Sequence, residues 1–188
     1  MSVKQILADV TDELRACFAG LKEEELQDLE KAILAARRVF VAGAGRSLLM
    51  IRGMAMRLMH MGFTAYVVGE TVTPAIEPGD LLIIASGSGS TGTLVEIARR
   101  CRKAGAELAL ITTRPSSPIG ELADLIVQVH AATTKVENGK EKTIQLGANT
   151  FEQSVLLIGD SVVIDIAGRD GGLDAKNAEL MKRHANLE

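Results

Sequence analysis

The stretch "LLIIASGSGSTGTLVEIARRC", Leu81 to Cys101, passes from an unbroken apolar run through a loop of serines, glycines and a threonine into a helix-like pattern. A short run that is apolar on both faces is what a strand buried inside a parallel sheet looks like. Outward from this unit the same grammar repeats. "VFVAG" (39–43) leads through "AGRS" into the long helical segment "LLMIRGMAMRLMHMG" (48–62), and "TAYVV" (64–68) is followed by a loop. "ELALITT" (107–113) precedes "PIGELA" (118–123), read as a short helix, and "DLIVQV" (124–129) is the last strand-like run. Apolar runs joined by helical crossovers predict an α/β fold, a three-layer sandwich around a five-stranded parallel sheet.

The flanks are helical. Val3, Ile6, Leu7, Val10, Leu14, Cys17 and Phe18 recur at helical spacing, and Gly20 stops the pattern. "KEEELQDLEKAILAARR" places acids early and bases late, as a helix dipole prefers, so a helical hairpin over about 3–37 is expected. A polar segment, 133–149, centred on Asn138-Gly139, reads as a loop. After it come a long helix from about Asn149 to Gly168 and a polar one over about 173–185. With 188 residues and 47% hydrophobic composition, the whole chain, 1–188, is read as a single domain with one core.

Composition argues against several classes of function. A net charge of −3 gives no basic field to attract nucleic acid or an anionic membrane, and 3% aromatic residues with no Trp leave few platforms for stacking bases. "SVLLIGDSVVIDIAG" is interrupted by Asp160 and Asp165, is too short to span a bilayer, and reads as a buried helix. Cys17 and Cys101 form no metal-type or redox-type pair, and the N-terminus has no signal-peptide pattern; the cytoplasm is the expected compartment.

Two loops follow strands and open helices: "GAGRS" (43–47) and "SGSGST" (86–91). The first amides of a helix have no internal acceptor and carry the positive end of its dipole, so such turns bind anions. Glycines let the backbone come close, and the hydroxyls of Ser86, Ser88 and Thr91 add donors without any lysine. The plainer reading is that Ser88 or Ser90 only caps a helix. Two such loops in one chain favour the anion. A dinucleotide site matches weakly, since Leu48 stands where GxGxxG needs its third glycine, and neither loop has a Walker lysine.

Few titratable groups are available for chemistry. Of His60, His130 and His184, His60 sits just before Gly62 at a helix end, where capping is the simple explanation. Methionines at 50, 54, 56, 59 and 61 read as core filler, some at a subunit contact. Glu152 lies three residues after Asn149, the spacing of a capping box, yet it also lies at a helix start where a carboxylate can face a ligand as a proton-transfer base. Arg46 is the cation within the first loop, read either as a ligand for phosphate or a sugar oxygen, or as a surface salt bridge.

The loop Ser86-Gly87-Ser88-Gly89-Ser90-Thr91, with Ser47 after the first strand, resembles the phosphosugar loop of SIS (sugar isomerase) domains. "GAGRS", "MRLMHMGFTAYVVGETVTP", "SGSGST", "FEQ" and the ending "RHANLE" together resemble the 6-phospho-3-hexuloisomerase family, and the likeness spans nearly the whole chain. That resemblance implies a flavodoxin-like sheet, a homotetramer, and neither metal nor organic cofactor. It implies conversion of D-arabino-3-hexulose 6-phosphate to fructose 6-phosphate in formaldehyde fixation by the ribulose monophosphate pathway. It places phosphate on Ser47, Ser86, Ser88 and Thr91 with the backbone at Gly87 and Gly89. Glu152 becomes the base, His60 and Arg46 candidates for stabilising the enediolate, and His184 a residue that can reach a neighbouring subunit's site. The alternative is a non-catalytic SIS module that senses a sugar phosphate.

Overall fold

The computed structural model describes residues 1–131, 143–169 and 173–187. Strands β1 (Val39–Gly43), β2 (Ala65–Val67), β3 (Leu81–Ala85), β4 (Glu107–Thr112) and β5 (Leu125–Gln128) form one sheet in the order β2-β1-β3-β4-β5. Every pairing is parallel. This is the doubly wound, flavodoxin-like order, with its switch point between β1 and β3. The register sets Gly43 beside Ala85 and Ala85 beside Ile111, so the loops after β1, β3 and β4 leave the sheet side by side.

Alternation along the strands builds two cores. Val39, Val41, Leu81, Ile83 and Ala85 face α1 (Val3–Ala19), α2 (Glu23–Ala35), α3 (Gly45–His60) and α5 (Asn149–Arg169). Phe40, Ala42, Leu82, Ile84, Leu108 and Leu110 face α4 (Gly92–Lys103) on the other side. Both faces are therefore covered, which is why the strand segments carry no polar alternation; each fully buried Leu or Ile contributes about 1.5–3 kcal/mol. The short α6 (Leu173–Lys182) packs on α5 and α3.

α3 and α5 run parallel across one face of the sheet. Arg46 meets Asn149 and Glu152 at their starts, and Gly53 faces Leu156 further along. At Gly159 a side chain would stand 2.9 Å from Met54 Cβ, so the absence of one lets the helices approach closely. α1 is held to α5 by Cys17 Sγ and Ser154 Oγ at 3.6 Å, and α2 reaches the sheet where Gln128 N donates to Glu25 Oε2 at 2.7 Å.

Two local expectations change. "PIGELA" forms hydrogen-bonded turns and no helix. Pro118 lacks an N–H, Gly120 is a weak helix former, and Asp124 N donates to Leu108 O at 2.8 Å, which draws the chain directly into β5. The expected loop at 133–149 lies largely outside the described residues, Asn138-Gly139 included. Of that segment, 143 and 144 are tied down by Glu13, which accepts from Thr143 Oγ1 and Ile144 N at 2.8 Å each.

Candidate functional site

The carboxyl edge of the sheet at the β1/β3 switch point gathers three chain segments. α3 starts at Gly45 after Ala44, and α4 starts at Gly92 after Thr91; neither residue before the helix makes a side-chain cap. The first-turn amides of both helices thus keep their donors open toward the crevice between β1 and β3, an arrangement of the kind that binds anions. The plainer capping reading of Ser88 does not hold for α4: Ser88 Oγ accepts from Ser90 N at 3.3 Å and stays within the loop.

Three carbonyls of the serine loop are already engaged by protein donors. Gly89 N donates to Ser86 O at 3.1 Å, Ile119 N to Gly89 O at 3.0 Å, and Thr113 Oγ1 to Gly87 O at 2.7 Å. Gly89 has a φ of +60°, and a Cβ there would stand 2.0 Å from Ser117 Oγ, so only glycine fits. Ser86 is buried and Ser88 exposed, while Ser47 and Thr91 are half-buried. Among the described residues, the hydroxyls of Ser47, Ser86 and Thr91 have no protein partner, so they remain available as donors.

The third segment is the start of α5. Phe151 lies against Gly87, where an added Cβ would stand 3.3 Å from the ring, so α5 abuts the serine loop directly. One residue on, Glu152 has a side chain that is 13% exposed, with Arg46 Nε 3.2 Å from its Oε2. The contact is an ion pair without hydrogen-bond geometry, and Oε2 is buried without a hydrogen-bond partner. Arg46 also donates to Asn149 Oδ1. The capping-box expectation is therefore corrected. Glu152 N donates to Ala148 O at 3.1 Å, and the Asn149 side chain faces Arg46, because the helix begins one residue earlier than the cap would require. Of the two readings of Arg46, the salt bridge is the one found, and its partner is the candidate base.

The histidines lie elsewhere. His60 ends α3, thirteen residues after Ser47, or roughly 20 Å along a helix. It is buried, its Nδ1 has no partner, and its ring stacks on His184 with centroids 5.4 Å apart. Burial, with help from Arg57 and His184, holds its pKa below the ordinary histidine value. His130 is exposed and packs beside Gly20. The chain thus brings together Arg46, Ser47, the serine loop and Glu152, and sets His60 and His184 together at the opposite edge. Sequence reasoning missed Asn149 as the partner of Arg46 and Phe151 as the brace of Gly87; contacts between residues this far apart in the chain leave no periodic signal. Among the described residues no group of three His, Cys, Asp or Glu could hold a metal ion, and no helix is long and apolar enough to cross a membrane.

Comparison with known proteins agrees with this geometry. The SIS domain model matches residues 32–151, from the end of α2 to the first turn of α5. The chain is 41% identical over 188 residues to the 3-hexulose-6-phosphate isomerase of Bacillus subtilis (strain 168), covering 100% of both chains. It is 43% identical over 182 residues to that of Mycobacterium gastri, covering 97% of this chain and 89% of the relative. A crystal structure of a Methanococcus jannaschii protein, described as inferring a molecular function of 3-hexulose-6-phosphate isomerase, superposes with a TM-score of 0.79 at 33% identity. That match covers 97% of this chain and 98% of the other. The motif, the strand order and the full-length similarity agree: the chain belongs to the SIS domain family, in the branch of its 3-hexulose-6-phosphate isomerases.

Proposed function

We propose that this isomerase converts D-arabino-3-hexulose 6-phosphate to fructose 6-phosphate by proton transfer on Glu152. The observation that carries the reading is the buried Glu152 carboxylate beside Arg46, one residue from the phenylalanine that braces the serine loop. The phosphate takes the hydroxyls of Ser47, Ser86, Ser88 and Thr91 and the open amides of Gly87 and Ser88, with Gly89 shaping the backbone of the loop, which holds the inert end of the sugar. Such donors suit a group that is bound and never transferred.

Moving the ketone from C3 to C2 requires a base to take the C2 proton and return it at C3, while the O2 proton passes to O3. One carboxylate serves for both carbon-bound transfers through a cis-enediolate, and the neighbouring guanidinium of Arg46 stabilises the oxyanion that forms between them. The substrate's O6 is esterified, and closure of O5 on C3 would give a four-membered ring. It therefore reacts in its open-chain form and needs no ring-opening acid. His60, at the far end of α3, and His184, which stacks on it, are too far from this site to enter it within one chain, so we place any part they take across a subunit boundary. A subunit contact is supported by the exposed apolar residues Leu49, Met56 and Met59 on α3 and Leu157 and Ile164 on α5, and we place it within a homotetramer. The relatives named 3-hexulose-6-phosphate isomerase support the substrate, and we place the reaction in formaldehyde fixation by the ribulose monophosphate pathway.

A coupled assay tests the reading: hexulose 6-phosphate is made from formaldehyde and ribulose 5-phosphate, and the appearance of fructose 6-phosphate is followed. Turnover is expected. Binding of fructose 6-phosphate with no exchange of its carbon-bound protons into solvent would favour the sensor alternative and overturn the enzyme reading.

A further inference from the structure

Three donors converge on one backbone oxygen of the serine loop. Gly87 O accepts from Thr113 N at 3.2 Å, from Thr113 Oγ1 at 2.7 Å and from Thr112 Oγ1 at 3.1 Å. The N–H alone would extend the parallel ladder one step past β3, as Ser86 N does toward Ile111 O at 3.0 Å. The two hydroxyls exceed what the sheet needs, and a carbonyl has only two lone pairs to offer. The Thr112 hydroxyl is itself oriented, because it accepts from Arg114 N at 3.1 Å.

The consequence lies on the other side of the peptide plane. The Gly87–Ser88 peptide is trans, so its N–H points opposite to its carbonyl. β3 lies between β1 and β4. With the carbonyl drawn to the end of β4, the Ser88 N–H is turned toward β1, whose loop carries Ser47. Among the described residues that N–H has no acceptor. Gly87 and Gly89 flank the peptide's own serine, and glycines put little steric barrier in the way of a flip that would present the carbonyl lone pairs to an anion.

We infer that Thr112 and Thr113 are positioning residues for the phosphate end of the substrate: their hydroxyls hold the Gly87–Ser88 peptide with its N–H facing the anion and exclude the flipped form. The inference rests on the proposed isomerase reading only in taking the anion to be a sugar phosphate. It makes the end of β4 part of the binding apparatus, although neither threonine belongs to the serine motif.

The test is a set of four variants, Thr113→Val, Thr113→Ser, Thr112→Val/Thr113→Val and Thr112→Ser/Thr113→Ser. Each is titrated calorimetrically with fructose 6-phosphate and with inorganic phosphate, and assayed for kcat and KM. The double valine is expected to weaken both ligands and raise KM by roughly tenfold or more, the size of losing a hydrogen bond to a charged group. Its kcat is expected to stay within about twofold, and the serine pair to bind as the wild type does. Unchanged binding in the valine variants, a fall in kcat at constant KM, or serine variants as weak as valine ones would each overturn the inference. Thr112 is fully buried, so thermal unfolding is recorded first; if the double valine does not fold, Thr113→Val at the half-buried site decides by the same titrations. A wild-type chain that binds both ligands without turnover would sink the isomerase reading and leave the clamp testable. A wild-type chain that binds neither ligand would sink both.

Discussion

At the amino edge of the sheet, Asp80 accepts from Arg38 Nη2 at 2.6 Å, Arg38 Nε at 3.0 Å, Arg37 Nε at 3.2 Å and Glu77 N at 2.9 Å. At the carboxyl edge, the hydroxyls of Ser47, Ser86 and Thr91 have no protein partner among the described residues, and Glu152 Oε2 lacks a hydrogen bond. Both edges join helices to strands, and both are built from polar residues at strand ends. One closes its polar groups on each other; the other leaves them turned toward a crevice. Buried polar groups are normally satisfied, so the open edge is where a ligand is expected to complete the bonding and the closed edge is where stability resides.

Mutations at each edge separate these roles. The largest effect is expected from Glu152→Gln, which keeps shape and removes the proposed base: kcat should fall by about 10²–10⁴-fold, the range for general-base catalysis, with fructose 6-phosphate still bound. Steady-state kinetics beside calorimetry checks this, and unchanged turnover would remove Glu152 from the mechanism. At the closed edge, Asp80→Ala takes from Arg38 its buried carboxylate and leaves it the exposed Glu77 Oε2 at 3.3 Å. It should cost about 3 kcal/mol of stability, the low end for a broken buried pair because Arg37 and Glu77 are half exposed, and leave KM unchanged in denaturant titration and assay. Ser86→Ala should do the reverse, raising KM about tenfold with little change in melting temperature.

The pH dependence divides in the same way. Burial pushes the Asp80 carboxyl up, but the hydrogen bonds from Arg38, the Glu77 amide and Arg37 together outweigh it and hold the pKa below the ordinary aspartate value. Its contribution is therefore present above the unfolded-state value and lost as pH falls through the folded one, in the acid range. His60, held neutral by burial, also has a lowered pKa. Its contribution is full above the ordinary histidine value and lost as pH falls below it, near neutrality. The smallest effect expected is thus a shallow fall in melting temperature just below pH 6.5 that His60→Asn removes; its persistence in that variant would assign the slope to another group.

Much of this architecture was legible before any coordinates. The five apolar runs declare strands because β1, β3 and β4 are covered on both faces, and the α3 and α5 segments carry enough apolar residues to be found as helices. The serine loop was legible as a candidate anion site because glycine and hydroxyl content reports backbone approach and donor supply directly. Its supports were not. Thr112 and Thr113 read as the tail of a strand, and nothing local says that both hydroxyls turn to Gly87. Asn149 looked like a cap because four residues of sequence show the capping spacing, whereas Arg46, more than a hundred positions away, claims its side chain. Likewise His60 and His184 gave no hint of each other: a stack between the end of α3 and the residues after α6 is a product of the packed chain alone.

The contact of Gly159 with Met54 has a further consequence. Arg46 and Glu152 project from the first turns of two helices lying like parallel rails, and this contact is the tie between the rails, roughly 10–12 Å farther down by helical rise. A methyl group at 159 would act as a wedge at the tie and splay the rails toward the crevice. The gauge between cation and carboxylate is therefore set from outside the site, about two turns down the helices.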